Sequence, residues 1–250
     1  MQLAEFLRGG TGLQRLVPAE RRRAMSHPKQ VRLAGSVLDR SQHVCAFFHG
    51  KEEEYRVLLP FIKEGFEQGD RAFHMVDPQH RAEHLRRLHE AGIPVAEAER
   101  RGQLEVRSWE DAQFREGRFD QNRMLGLLEE VLAGGKAQGF PLTRLMANME
   151  WALEDRPGLE DFLEFEARVN YLAPKYHDVL CCIYDLGRFD AKVVMNILRT
   201  HPMVIIGGVL EQNPFFVPPD EFLRELRERV EQDSPGAPQG GYQGGKTLRR

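Results

Sequence analysis

Thr143-Arg-Leu-Met-Ala-Asn-Met-Glu-Trp-Ala-Leu153 is the stretch from which the fold is read. Predominantly apolar up to Asn148, it is too short and too poor in polar alternation for a surface strand, and it predicts a strand buried on both faces. Glu150 and Trp151 stand at its C-terminal end. In open α/β sheets, ligands bind in the crevice beyond the carboxyl ends of the strands, so a carboxylate and an indole placed there are candidate pocket residues. The alternative is that Trp151 belongs to the core and Glu150 to a solvated loop.

On both sides of this strand, apolar runs alternate with helical periodicity. Just upstream, Asp120 caps a helix with Met124, Leu127, Leu128, Val131 and Leu132 on one face, closed by Gly134 and Gly135. Further back, residues 44–48 form a compact apolar strand. Residues 52–68 place Tyr55, Leu58, Leu59, Ile62 and Phe66 at helical spacing, with Pro60 as a kink and Gly69 as a stop. Residues 71–76 predict a second strand, Asp77-Pro78 opens a helix with Leu85 and Leu88 inward that ends at Gly92, and residues 103–108 predict a third strand. Downstream, residues 159–173 predict a helix with Phe162, Phe165, Glu166 and Val169 on one stripe, ended by Pro174. A fifth strand over 178–184, a short helix over 190–199 and a sixth strand over 203–210 follow. Pro218-Pro219-Asp220 then starts a last helix rich in Arg and Glu. The alternation predicts an α/β fold, a mostly parallel sheet covered by helices on both faces.

At 250 residues the chain is long enough for one such domain with a sizeable core. A net charge of -3 and a pI near 6.3 argue against bulk electrostatic binding of nucleic acid or of an anionic membrane. Cys45, Cys181 and Cys182 are odd in number and lack C-x-x-C spacing, so neither a disulfide framework nor a zinc site is expected, and the chain reads as cytoplasmic. The N-terminus shows no apolar leader, and the longest greasy run, 203–210, falls far short of the roughly 20 residues a membrane helix requires. Three segments are expected. Residues 1–42 make a basic, loosely ordered arm with Arg21, Arg22, Arg23, Lys29, Arg32 and Arg40; residues 43–232 make the α/β domain; residues 233–250 make a disordered tail rich in Pro, Gly and Gln. The arm is too short and too interrupted for a helix-turn-helix, so no specific nucleic-acid binding is expected of the chain alone.

The tail spells a phosphate-loop pattern, G-x-x-x-x-G-K-T, from Gly240 to Thr247. That loop works only when a strand delivers it and a helix follows whose N-terminal amides meet the phosphate, and neither is expected there. Where it would belong, after the first strand, the chain reads His49-Gly50-Lys51-Glu52, without the upstream glycines and with Glu in place of a magnesium-binding Ser or Thr. No cofactor is therefore expected. His43 and Cys45 share one side of a strand and Cys182 lies in another, but no third ligand stands at a diagnostic spacing, so buried structural thiols are expected and no metal. His80, His84 and His89 fall on an Arg-rich helix face that reads as solvated. Glu166 with Asn170 is an i, i+4 polar pair inside an apolar helix and needs a partner if buried. Tyr184-Asp185 ends the fifth strand as Glu150-Trp151 ends the fourth, offering a second aromatic and carboxylate to the same edge.

His43-Val-Cys-Ala-Phe-Phe, the run Pro60-Phe-Ile-Lys-Glu-Gly-Phe-Glu-Gln-Gly-Asp70, Met149-Glu150-Trp151, Glu166-Ala-Arg-Val-Asn170, Cys182-Ile-Tyr-Asp185 and His201-Pro202 together resemble the MEDS family, the methanogen/methylotroph, DcmR-type sensory domain. The resemblance covers about residues 43–229. It also extends to the KaiC and RecA-like ATPases as a degenerate relative whose functional phosphate loop is lost. What it implies is a cytoplasmic sensory module that detects a small organic, hydrocarbon-derivative-like ligand and acts on a regulatory protein partner: a kinase, a sigma-factor antagonist or a transcription regulator. No enzyme and no membrane partner is expected, and a homo-oligomer is left open. Strand-end geometry and the buried polar pair nominate His49, Asp77, Glu150, Trp151, Glu166, Asn170, Tyr184 and Asp185 as ligand-binding. Two other readings compete. One is a RecA/KaiC-like nucleotide-binding protein or ATPase in which Lys51, Asp77 and Glu150 serve phosphoryl transfer. The other is a protein-interaction scaffold that senses nothing.

Overall fold

A computed structural model describes residues 30–38 and 42–233. Most of the arm expected over 1–42, and the tail from residue 234 with its phosphate-loop-like run, lie outside the described residues. In chain order the strands are β1 (Val31–Leu33), β2 (Ser36–Leu38), β3 (His43–Phe48), β4 (Arg71–Val76), β5 (Leu104–Ser108), β6 (Thr143–Asn148), β7 (Val179–Asp185), β8 (Met203–Ile206) and β9 (Val209–Gln212). The helices are α1 (Lys51–Gln68), α2 (Arg81–Glu90), α3 (Val95–Arg100), α4 (Trp109–Ala112), α5 (Gln121–Ala137), α6 (Phe162–Val169), α7 (Leu172–Tyr176), α8 (Ala191–Thr200) and α9 (Pro219–Asp233).

The seven-stranded sheet has the order β5-β4-β6-β7-β3-β8-β9 and is parallel except for the β8–β9 pair. Every residue of β3, β4 and β6 is buried, which is why these strands are predominantly apolar with their polar residues, such as His43, His74 and Arg144, buried as well. Successive side chains go to opposite faces. Cys45, Phe47, Cys182 and Tyr184 pack with α4 to α8, whereas Val44, Ala46, Phe48, Cys181 and Ile183 pack with α1 to α3 and the β1–β2 hairpin. The fold is thus α/β, with a mostly parallel sheet covered on both sides. No helix of the described residues is long and apolar enough to cross a membrane.

Local chemistry accounts for the element starts: Asp77, Asp120 and Asp190 each accept a backbone N–H two or three residues on, at 2.8–3.0 Å. Several expectations need correction. The run 203–210 is two strands, because Gly207 (φ 58°) and Gly208 (φ 78°) occupy the left-handed positions of a two-residue hairpin turn. Gly134 and Gly135 do not close α5. A Cβ on Gly135 would lie 2.4 Å from Thr143 Oγ1, so the glycine lets the helix sit against β6. Pro174 does not end the helix before it; the break falls at Asn170–Tyr171, and Pro174 sits in the first turn of α7, where its missing N–H has no partner to lose. Residues 30–38, assigned to the loose arm, form a hairpin whose Leu33 is buried against α1. His84 is not solvated; it shares the inner stripe of α2 with Leu88.

Candidate functional site

The nominated residues separate into three places. The first is the edge formed by the C-terminal ends of the strands. There Lys51, in the first turn of α1, lies 2.9 Å from Glu54 Oε2 and 3.5 Å from Glu150 Oε1, while Asn148 Nδ2 donates to both Glu54 oxygens at 3.2 and 3.3 Å. Burial works against the Lys51 charge, but Glu54 and then Glu150 outweigh it and raise the ammonium's pKa. Burial also raises the pKa of the Glu150 carboxyl, only partly offset by Lys51. His49 is exposed, and its backbone N–H already donates to Glu53 Oε2 at 2.8 Å. Asp77 caps the 3-10 turn that precedes α2, and Asp185 accepts from Gly187 N at 2.8 Å within its own turn. The residues that sequence alone gathered at this edge are therefore engaged with one another or with local backbone.

Trp151 is elsewhere. It is fully buried, its ring centroid 4.9–6.4 Å from those of Phe114, Phe119, Phe162 and Phe165, and it fixes α6 to the sheet. The core reading of this residue is the one its position matches.

Glu166, Asn170 and Tyr184 meet in a third place, under α6 on the inner face of β3 and β7. The carboxylate of Glu166, with 0% exposure, faces His43 Nε2 at 3.6 Å and His201 Nε2 at 3.1 Å, and His43 Nε2 lies 3.3 Å from Cys182 Sγ. Hydrogen bonding fixes the tautomers. Asn170 Nδ2 donates to the carbonyls of Glu166, Ala167 and Thr200 at 3.3, 3.0 and 2.7 Å, so its oxygen is the atom turned to His43 and accepts from Nδ1–H at 3.3 Å. His201 Nδ1–H donates to the Ile197 carbonyl at 2.9 Å. Both rings thus turn the lone pair of Nε2 inward, toward a carboxylate that the Cys182 thiol and the Tyr184 hydroxyl also face as hydrogen-bond donors. Burial, then the neighbouring His201, hold His43 well below the ordinary imidazole pKa. Burial, then Glu166, push the Cys182 thiol and the Tyr184 hydroxyl well above theirs. Of His43, Glu166, Cys182 and His201, sequence alone nominates only Glu166 as a site residue: it weighs His43 and Cys182 together and sets them aside as structural, and it does not nominate His201. Only the topology that lays β3 beside β7, with the end of α8 above them, brings the four together.

A small cavity of about 20 Å³ adjoins this cluster, with Cys182 in its wall beside Met75, Met124, Met149, Phe165 and Gln113. Its lining is apolar except for Gln113, which donates to Met75 Sδ at 3.4 Å and leaves its buried Oε1 without a partner. Such a volume admits about one water-sized group in the present side-chain arrangement. A wider open groove of about 560 Å³ runs between the β1–β2 hairpin and α1, bordered by Arg32, Arg56, Glu64 and Glu67.

Comparison with known proteins places these features in context. Residues 42–202 match the family described as MEDS, the MEthanogen/methylotroph, DcmR Sensory domain. The transcriptional repressor DcmR of Methylorubrum extorquens is 26% identical over 184 residues, which are 73% of this chain and 66% of the repressor. The chain thus spans just under two thirds of that relative's length. Among solved structures, a KaiC-like protein from the hyperthermophilic archaeon Pyrococcus horikoshii superposes with a TM-score of 0.49 at 13% identity, covering 66% of this chain and 70% of the other. The flagellar accessory protein FlaH of Methanocaldococcus jannaschii gives 0.46 at 12% identity, covering 72% and 83%.

Proposed function

We propose, for a chain that belongs to the MEDS family of sensory domains, that it binds a small organic molecule in the methionine-lined cavity beside Cys182 and passes the change to a regulatory protein partner. The observation that carries this reading is the cavity itself: apolar, walled by Met75, Met124 and Met149, with the unpaired Gln113 Oε1 as its one polar handle. Methionine side chains are flexible and polarizable, so a molecule larger than the present space can enter by shifting them. The displaced groups belong to β4, to α5 and to the segment after β6, and their movement is the differential contact by which a ligand selects between two states. Phosphoryl transfer is the weaker reading. The N–H of His49 and the ammonium of Lys51 are both engaged by the chain's own carboxylates, and the first turn of α1 carries Glu52, Glu53 and Glu54, which repel a phosphate. We therefore read the protein as non-catalytic, its phosphate loop degenerate, and its three buried free thiols as suited to the reducing cytoplasm. Repression of transcription by the DcmR relative supports a transcription regulator, among the partners considered, as the output.

Thermal shift with short-chain haloalkanes, alcohols and ketones tests the proposal. At about 100 times the Kd a ligand should raise Tm by roughly 5–10 °C. Ala147→Leu, which fills the cavity, should abolish the shift, and Met124→Ala, which enlarges it, should admit longer homologues. A ligand that stabilises wild type and Ala147→Leu equally does not use this cavity and refutes the assignment.

A further inference from the structure

We infer that His43, Glu166, Cys182 and His201 form a binding site for a single divalent transition-metal ion of the zinc type. The four side chains come from β3, α6, β7 and the end of α8, all are buried, and their ligating atoms lie within 4.8 Å of one another. A tetrahedron with metal–ligand arms of about 2.0–2.3 Å has edges of about 3.3–3.6 Å. Three of the six edges are 3.3 Å (His43 Nε2 to Cys182 Sγ), 3.6 Å (His43 Nε2 to Glu166 Oε2) and 3.1 Å (His201 Nε2 to Glu166 Oε2), and none of the six exceeds 4.8 Å.

Orientation points the same way as distance. Each imidazole is held by its Nδ1–H, His43 to the Asn170 side-chain oxygen and His201 to the Ile197 carbonyl, the outer hydrogen bond that metal-ligating histidines use to aim Nε2. Two lone pairs and a carboxylate then converge on one point from which water is excluded. His201 Nε2 has no hydrogen-bond partner, and the groups able to donate to the Glu166 carboxylate are the Tyr184 hydroxyl and the thiol of Cys182, itself one of the four. Acceptors facing acceptors in the core are costly unless a positive centre stands between them. A divalent ion supplies that centre, and with the thiolate of Cys182, the carboxylate of Glu166 and two neutral imidazoles its net charge is zero, which is what burial favours. Nitrogen and sulfur donors with one carboxylate suit zinc, cobalt or ferrous iron and disfavour magnesium and calcium, which prefer all-oxygen sets. The site stands independently of what occupies the neighbouring apolar cavity.

Cobalt titration of the full chain, after removal of resident metal with chelator, is the test. The expected result is saturation by a single ion, visible ligand-field bands of tetrahedral cobalt, and a near-ultraviolet thiolate-to-cobalt band. Cys182→Ser should lose the thiolate band while Cys45→Ser and Cys181→Ser keep it. Asn170→Ala, which frees the His43 ring, should weaken binding by about 10–100-fold without changing the spectrum at saturation. Circular dichroism of each variant separates lost binding from lost folding, and should Cys182→Ser not fold, Glu166→Gln and His201→Gln serve in its place with loss of the tetrahedral bands expected. Absence of cobalt uptake by the wild type overturns the inference and leaves a shared proton as the positive centre. A thiolate band that survives Cys182→Ser in folded protein overturns it equally, since the ion would then sit elsewhere.

Discussion

Acid should unfold this protein through histidines that the fold keeps neutral, and His84 lets the size of the effect be worked out. Its ring is buried between Tyr55, whose hydroxyl lies 2.8 Å from Nδ1, and His74, whose Nδ1 lies 2.8 Å from Nε2. Burial first, then the positive charges of Lys51 and Arg81, lower its pKa from 6.5 to about 4. In the unfolded chain the same ring takes up a proton near its ordinary pKa, so below that pH the unfolded state binds more protons and stability falls. The stabilising contribution is intact above the unfolded value of 6.5 and is lost as the pH drops from there toward about 4. Linkage between these two values gives a loss of about 2 kcal/mol from pH 7.5 to pH 5, or roughly 4–8 °C in Tm for a chain of this size. Urea unfolding followed by circular dichroism at a series of pH values measures it. His74 and His43 shift in the same direction and steepen the wild-type curve, so the informative quantity is a difference. In His84→Gln, which keeps an amide in hydrogen-bonding reach, the fall over that range should be smaller by about 2 kcal/mol. Parallel curves for wild type and variant would mean that His84 titrates alike in both states, and the reasoning would be wrong.

Backbone geometry makes a second test. Gly158→Ala puts a Cβ 2.0 Å from the Phe119 carbonyl at φ 92°, and should cost about 3 kcal/mol or more by denaturant unfolding; Gly139→Ala, also at positive φ but in open space, should cost only about 1 kcal/mol. Trp151→Ala should lose about 3–5 kcal/mol as an emptied core site, with a fall in near-ultraviolet dichroism from its four phenylalanine neighbours; a loss below 1 kcal/mol would show that the ring is not a core element. Lys51→Met strands two buried carboxylates and should destabilise by about 2 kcal/mol, the lysine tip being partly exposed. Adding Glu150→Gln should restore part of that loss, and no restoration would mean the two groups are not coupled.

What could be read from the chain alone follows from which forces act locally. The buried parallel strands announce themselves because β3, β4 and β6 are covered on both faces and carry no polar alternation. The caps at Asp77, Asp120 and Asp190 are set by hydrogen bonds spanning two or three residues, and the separated motifs suffice to identify the MEDS family. The Gly207-Gly208 turn is missed when 203–210 is read as one strand, although paired glycines inside an apolar run are the ordinary signal for a two-residue hairpin. Gly135 was not legible, because its role is set by Thr143 on another element. The polar pair Glu166 and Asn170 declared a need for partners, but His43 is 127 residues from Asn170 and Cys182 is 139 from His43. No spacing rule spans such distances. Trp151 looked like a pocket residue because strand ends bind ligands in this class of sheet; the ring turns instead into the aromatic layer beneath α6.

The strand order has a consequence for how the protein is made. β4 finds its neighbours β5 and β6 soon after it leaves the ribosome, but β3, the first strand of the sheet and apolar from Val44 to Phe48, lies between β7 and β8. Cys182 follows His43 by 139 residues and Met203 follows Cys45 by 158. At about 5–20 residues per second, β3 waits roughly 7–30 s after synthesis with both of its hydrogen-bonding edges open. That interval, in which an unpaired apolar strand can join a neighbouring nascent chain, is the stage of biogenesis at which a holding chaperone has the most to do. A transcript truncated before β7 would leave the strand in that state permanently.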